Sequence, residues 1–94
     1  MQIDRKQIES ALRKKGFVEE GGSHKYFYHE VGSKRTGAYA YTSRGSGYKT
    51  YGDSLLKIMK KELRLDTLNQ VKRLMECPMD AEAYNTILKQ KRIF

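Results

Sequence analysis

The two histidines of this 94-residue chain both lie in the stretch GGSHKYFYH, residues 21–29. His24 follows a flexible Gly-Gly-Ser segment and opens a run of strand-forming aromatic residues. One imidazole suffices in principle for RNA cleavage, because the substrate's 2′-hydroxyl attacks the adjacent phosphate once a base removes its proton. The alternative is a surface histidine of a strand with no chemical role, and the spacing alone favours that alternative.

Cations and glycines near His24 would suit a phosphate group. The charge that develops at phosphorus needs cations close by, for which Lys25, Arg44 and Lys49 are the candidates. Gly22, with Ser23 after it, would let the backbone approach a ribose-phosphate closely. A basic ridge with spacing i, i+3, i+4, i+7 on a predicted helix comprises Lys57, Lys60, Lys61 and Arg64. This ridge would either follow a phosphate backbone or form a solvated helix face.

Six of the seven tyrosines lie between residues 26 and 51, interleaved with cations. Such a mixture is typical of surfaces on which bases stack beside phosphate contacts. Strand alternation puts Tyr26 and Tyr28 on the same face as His24, while Phe27 points to the other side and is expected in the core. The simpler interpretation is that tyrosine is a good strand residue.

The net charge of +8 raises the prior for polyanionic partners, above all nucleic acid and secondarily an anionic membrane surface. Residues 24–64 hold nine basic and three acidic side chains, a net charge of +6. The excess charge therefore lies around the His24 segment. A protein-interaction domain that binds an acidic partner is a further, weaker possibility.

The cysteine content and the hydropathy limit which cellular compartment and which cofactors can be expected. A single cysteine, Cys77, forms no intramolecular disulfide, which suits a reducing cytosol. His24 and His29 stand five residues apart, on opposite faces of a strand, so we expect no metal site and no cofactor. The N-terminus lacks the apolar run of a signal peptide, and no apolar run approaches the ~20 residues that span a bilayer. We therefore expect a cytoplasmic protein without membrane contact.

Periodicity and turn residues predict an α+β protein. We expect a helix over 4–15 with Asp4 and Gln7 as a capping box, then a short strand that begins at Phe17-Val18 and ends at Gly21-Gly22, and strands over 24–31 and 38–43. A polar turn over 32–37 and a basic loop over 44–51 would separate these elements from a helix over 53–64. Two short helices, capped by Asp66 and Asp80, would follow. The order α-β-β-β-α favours an antiparallel three-stranded sheet with helices on one face, in a single domain over 1–94.

Several of these residues together resemble the HicA family of toxin-antitoxin mRNA interferases. They are the helix end KKGF, then Gly22-Ser23-His24 with Phe27, then Tyr41-Thr42-Ser43, a Gly-rich loop and a helix that begins near Asp53. The resemblance covers about residues 4–64, which would form the core of the domain. Residues 65–94 resemble the two-helix extension of longer relatives, with Cys77-Pro78 and the later pair Tyr84 and Leu88.

This resemblance implies a fold like that of double-stranded RNA-binding domains and metal-independent cleavage of single-stranded RNA, with His24 as the catalytic residue. It also implies a HicB-type antitoxin as the partner that covers the site. Similar long relatives carry Ser-His where this chain has Ser43-Arg44, so here Arg44 would take over the phosphate contact. The alternative function is a non-catalytic module that binds duplex or structured RNA through the same basic surface.

Overall fold

The computed structural model describes residues 2–45, 47, 49–76 and 78–94. A short strand and a helix come first, followed by a three-stranded hairpin arrangement, a second short strand and three helices. In chain order these elements are β1 (Ile3–Asp4), α1 (Arg5–Lys14), β2 (Phe17–Glu20), β3 (Lys25–Val31), β4 (Lys34–Thr42), β5 (Thr50–Tyr51), α2 (Asp53–Glu62), α3 (Leu68–Met75) and α4 (Ala81–Gln90).

Strands β2, β3 and β4 form an antiparallel sheet in that order, which confirms the predicted α+β class and the three-stranded meander. β4 starts at Lys34, four residues before the predicted start, so the expected polar turn over 32–37 is wrong. Gly32 and Ser33 both have positive φ, 58° and 68°, and they form a two-residue hairpin turn of the kind whose twist matches the flanking strands.

A two-stranded ribbon of β1 and β5 lies outside the main sheet and was not predicted. It pairs Ile3 with Tyr51. The Arg5 backbone N–H donates to the carbonyl of Lys49 at 2.8 Å, and the Arg5 guanidinium donates to the carbonyl of Ser43 at 2.9 Å. These contacts attach the segment after β4 to the start of α1, so part of the predicted flexible loop is hydrogen-bonded.

One face of the sheet belongs to the hydrophobic core, which includes Phe27, Ala38 and Ala40 of β3 and β4. All four helices contribute to this same cluster, with Ile8, Leu12, Leu56, Met59, Val71, Leu74, Tyr84 and Leu88 buried. The Tyr84 hydroxyl donates to the carbonyl of Leu63 at 2.7 Å, so α4 is also held by a buried hydrogen bond. The C-terminal helices therefore share the core with the sheet.

Two of the predicted helix caps, those of α1 and α3, are wrong. Asp4 occupies the N-cap position of α1 but makes no side-chain capping bond, and Gln7 instead donates to the carbonyl of Met75. The prediction for Asp66 is wrong, because Thr67 caps α3 in a reciprocal capping box with Gln70. The Asp80 cap of α4 is confirmed.

Candidate active site

The face of the sheet opposite the core carries a contiguous group of aromatic rings. We call it the tyrosine face, and it comprises Tyr26, Tyr28, Tyr39 and Tyr41, all half-buried. The strand register places Tyr26 beside Tyr41 and Tyr28 beside Tyr39. Ring centroids lie 6.0 Å apart for Tyr26 and Tyr28, 5.6 Å for Tyr26 and Tyr41, and 6.2 Å for Tyr28 and Tyr39. This spacing suits neighbouring rings that present a continuous π surface.

His24 stands at one end of the tyrosine face. Its ring centroid lies 5.1 Å from that of Tyr41 and 6.1 Å from that of Tyr26. The turn before it depends on Gly22, whose φ of 145° favours glycine. The Arg44 Nε donates to the Gly22 carbonyl at 2.9 Å, and an added Cβ on Gly21 would lie 3.2 Å from an Arg44 guanidinium nitrogen. Arg44 and the glycines therefore fix the backbone that leads to His24, and Ser23 is exposed there.

A cavity of about 220 Å³ opens between His24 and α2, and we call it the His24 cleft. Its walls are mostly apolar, with Ile58 51% exposed at the surface of α2. The His24 Nδ1 is buried and has no hydrogen-bond partner among the described residues. The full lining is His24, Tyr41, Ser43, Tyr51, Leu55, Ile58, Met59 and Glu62.

Glu62 is a residue of this cleft that the sequence analysis missed. It is the last residue of α2, and burial raises the pKa of its carboxyl group, while a hydrogen bond with the Tyr39 hydroxyl opposes that rise. The charge of Glu62 in turn raises the pKa of Tyr39. The sequence signal was available in retrospect, because Glu62 lies at i, i+3, i+4, i+7 spacing with Leu55, Ile58 and Met59.

Lys25, predicted to contact phosphate, lies on the other face of the sheet. Strand alternation directs it away from His24 and toward α1, where its ammonium group is 3.5 Å from the Glu9 carboxylate. Glu9 is buried and also accepts a hydrogen bond from the Thr42 hydroxyl at 2.7 Å. Lys25 therefore neutralises a buried carboxylate. Lys49 is exposed and lines a separate groove with Asp4, Arg5 and Lys6.

The predicted basic ridge lies on the side of α2 away from the His24 cleft. Lys57 and Lys60 are offset by two residues from Leu55 and Ile58, which corresponds to about 200° around a helix. Lys57 and Lys61 are exposed and Lys60 is half-buried. Arg64 falls beyond the end of α2 and has a φ of 62°. The ridge and His24 are therefore not brought together.

The second histidine has a structural environment. His29 is fully buried, with Nδ1 2.8 Å from the Thr36 hydroxyl and Nε2 2.8 Å from Asn85 Oδ1. Its ring packs against Phe17 and Tyr84 at centroid distances of 5.1 and 5.0 Å. Burial lowers the pKa of His29, and the hydrogen bond to Asn85 partly offsets this effect. Cys77 lies outside the described residues.

The described part of the chain contains no group of three or more His, Cys, Asp or Glu side chains that could hold a metal ion. Within the same residues, no helix has the length and apolar character required to cross a membrane.

No family model, curated protein or solved structure matches this chain. The fold and the site together describe a small α+β protein with an aromatic sheet face and a histidine-containing cleft. The resemblance of residues 4–64 to the HicA family stays a prediction.

Proposed function

We propose that this chain is an RNA-binding ribonuclease that cleaves single-stranded RNA, with His24 transferring a proton at the scissile phosphate. The observation that carries the proposal is the position of His24, where the tyrosine face meets the His24 cleft. Bases stacked on Tyr26 or Tyr41 would be held next to the imidazole, and each such stack contributes about 1–3 kcal/mol. A single strand fits this arrangement because its bases are free to stack on protein rings.

In our proposal, Arg44 is the cation that contacts the phosphate at this site. The described residues that line the His24 cleft include no lysine or arginine. Arg44 holds the Gly22 carbonyl and so lies beside the turn that leads to His24. A phosphate at the exposed Ser23 would meet this guanidinium, which can stabilise charge that develops in the transition state.

The resemblance to HicA toxins extends the proposal to a physiological role. In this role the chain is the cytoplasmic toxin of a toxin-antitoxin pair that cleaves mRNA, and a HicB-type antitoxin inhibits it by covering the His24 cleft. The exposed side chain of Ile58 at the cleft offers an apolar contact to such a partner.

The test is the His24→Ala variant, assayed on single-stranded RNA in excess EDTA. We expect at least ~100-fold slower cleavage, the lower range for general acid–base catalysis. The free energy of unfolding should change by less than about 1 kcal/mol, because the His24 ring lies at an open cleft. RNA affinity should persist, and added imidazole should restore part of the cleavage. Equal cleavage by the two proteins would remove His24 from the mechanism.

A non-catalytic RNA-binding module is the second candidate. The tyrosine face supports it, because stacking on Tyr26, Tyr28, Tyr39 and Tyr41 requires no proton transfer. If the wild-type protein and His24→Ala both bind RNA and neither cleaves it, this second function is the correct one.

A further inference from the structure

We infer that Glu62 is the second proton-transfer group of the site, the base that takes the 2′-hydroxyl proton while His24 protonates the leaving oxygen. The inference rests on the proposed ribonuclease function and assigns the two roles within it. One imidazole suffices in principle for RNA cleavage, but a second group on the other side of the phosphorus adds to catalysis, since one oxygen loses a proton and another gains one.

The geometry that supports this role is the shared cavity. Glu62 is the last residue of α2 and His24 directly precedes β3, yet both line the same space of about 220 Å³. Glu62 is the one carboxylate among the described residues of that lining. A ribose-phosphate placed in the cleft would therefore meet a carboxylate and an imidazole.

Tyr39 lies beside the Glu62 carboxyl group. Its hydroxyl is a hydrogen-bond partner of that group, and its ring is part of the tyrosine face on which the bases would stack. Burial raises the pKa of Glu62, so its carboxylate is a stronger base than an exposed one. The half-buried setting thus favours proton abstraction.

Two other glutamates close to this part of the sheet are unsuited to the role. Glu20 pairs with Tyr26 across β2 and β3, but its carboxylate lies 2.7 Å from the Arg35 guanidinium and is about half exposed. Glu9 is buried on the opposite face, where Thr42 and Lys25 hold it. Glu62 alone of these three lines the His24 cleft.

The reaction balances without a co-reactant. The Glu62 carboxylate accepts the 2′-hydroxyl proton, and the 2′-oxygen forms a bond to phosphorus. The bond between phosphorus and the 5′-oxygen then breaks, and the protonated His24 imidazole supplies the proton that this oxygen needs. The products are a 2′,3′-cyclic phosphate and a 5′-hydroxyl. Proton exchange with water restores the charged carboxylate and the imidazolium.

The experiment compares Glu62→Gln with a matched control, Glu20→Gln, which removes the same charge from the same side of the sheet. The substrate is a defined single-stranded RNA oligonucleotide, and its 2′-deoxy analogue should not be cleaved. For the wild-type protein we expect a bell-shaped pH profile, because the base must be ionised and the acid protonated. Glu62→Gln should cleave at least ~100-fold more slowly and lose the acidic limb. Glu20→Gln should retain both the wild-type cleavage rate and the acidic limb of the profile.

Tyr39→Phe provides a second variant that keeps the carboxylate. Because the Tyr39 hydrogen bond lowers the pKa of Glu62, its removal should move the acidic limb to higher pH with the alkaline limb unchanged. Circular dichroism and melting temperature confirm that the variants fold.

The possible outcomes distinguish a failure of the Glu62 assignment from a failure of the proposed ribonuclease function. A wild-type protein that binds RNA without cleaving it overturns both. If the wild-type protein cleaves, His24→Ala does not, and Glu62→Gln matches Glu20→Gln in rate and pH profile, the inference alone fails. Loss of the alkaline limb in Glu62→Gln would show that the two roles are reversed and would overturn this assignment.

Discussion

Lowering the pH should destabilise the folded chain through His29, which is fully buried in a contact with Asn85 of α4. A neutral ring with its proton on Nε2 satisfies both neighbours, since it donates to Asn85 and accepts from the Thr36 hydroxyl. Burial lowers the pKa of His29 in the folded state below the ordinary value of 6.5. The unfolded chain therefore binds the proton first as the pH falls, and stability decreases below pH 6.5 toward the folded-state pKa.

The expected loss of stability follows from the uptake of one proton by His29 in the unfolded chain. For a ring that stays neutral in the folded state throughout, the unfolded state gains about 1.4 kcal/mol between about pH 7.5 and pH 5.5, which is the upper limit of the effect. For a domain of this size that limit corresponds to a melting temperature lower by about 6–11 °C. Urea titrations of the wild-type protein and His29→Gln at both pH values isolate this contribution, because all other titrating groups are shared.

His29→Gln should lose up to about 1.4 kcal/mol of the wild-type difference in stability between the two pH values. An unchanged pH dependence in His29→Gln would refute the reasoning, because it would mean that the folded chain accommodates a charged His29 without cost.

Two further predictions concern RNA affinity and helix capping. Arg44→Ala should reduce the slope of log K against log salt for a short single-stranded RNA by about 0.7, the value for one phosphate contact. Replacing Lys57 and Lys61 together by alanine should leave that slope unchanged, because both side chains face away from the His24 cleft; an equal change would place RNA on the ridge as well. Thr67→Ala should cost about 1 kcal/mol through loss of the α3 capping box, whereas Asp66→Ala should cost less, since its ion pair with Lys91 is exposed. Urea titrations compare these two variants.

Local signals explain which parts of the fold the sequence predicted. The helices and the three strands of the meander follow from apolar periodicity and from glycines such as Gly16, which has a φ of 92° and follows the C-cap residue of α1. The β1–β5 ribbon has two residues in each strand, too few to show a period. The early start of β4 was missed because the basic residues Lys34 and Arg35 suggest a loop, although Gly32-Ser33 already completes the turn.

The candidate site, like the fold, was predicted only in part from the sequence. Alternation correctly placed Tyr26 and Tyr28 on one face of the sheet, and the same rule would have placed Lys25 with the core-facing side chains. Glu62 was missed because its position in the cleft depends on how α2 docks along β4, a tertiary contact that no local pattern specifies. The available sequence signal was the helical spacing of Glu62 with the apolar residues Leu55, Ile58 and Met59.

The two faces of the sheet place the two histidines in different environments. Small side chains at Ala38 and Ala40 belong to the covered face, where His29 is enclosed and burial lowers its pKa. A group whose charged form is penalised and whose ring nitrogens are both occupied is poorly placed to exchange protons with a substrate. His24 is five residues earlier, an odd offset that places it on the opposite face, beside a cleft and with a buried nitrogen that lacks a partner. β3 thus carries one histidine into the core, and the other precedes this strand and lies beside the cleft, where our proposal gives it the proton transfer.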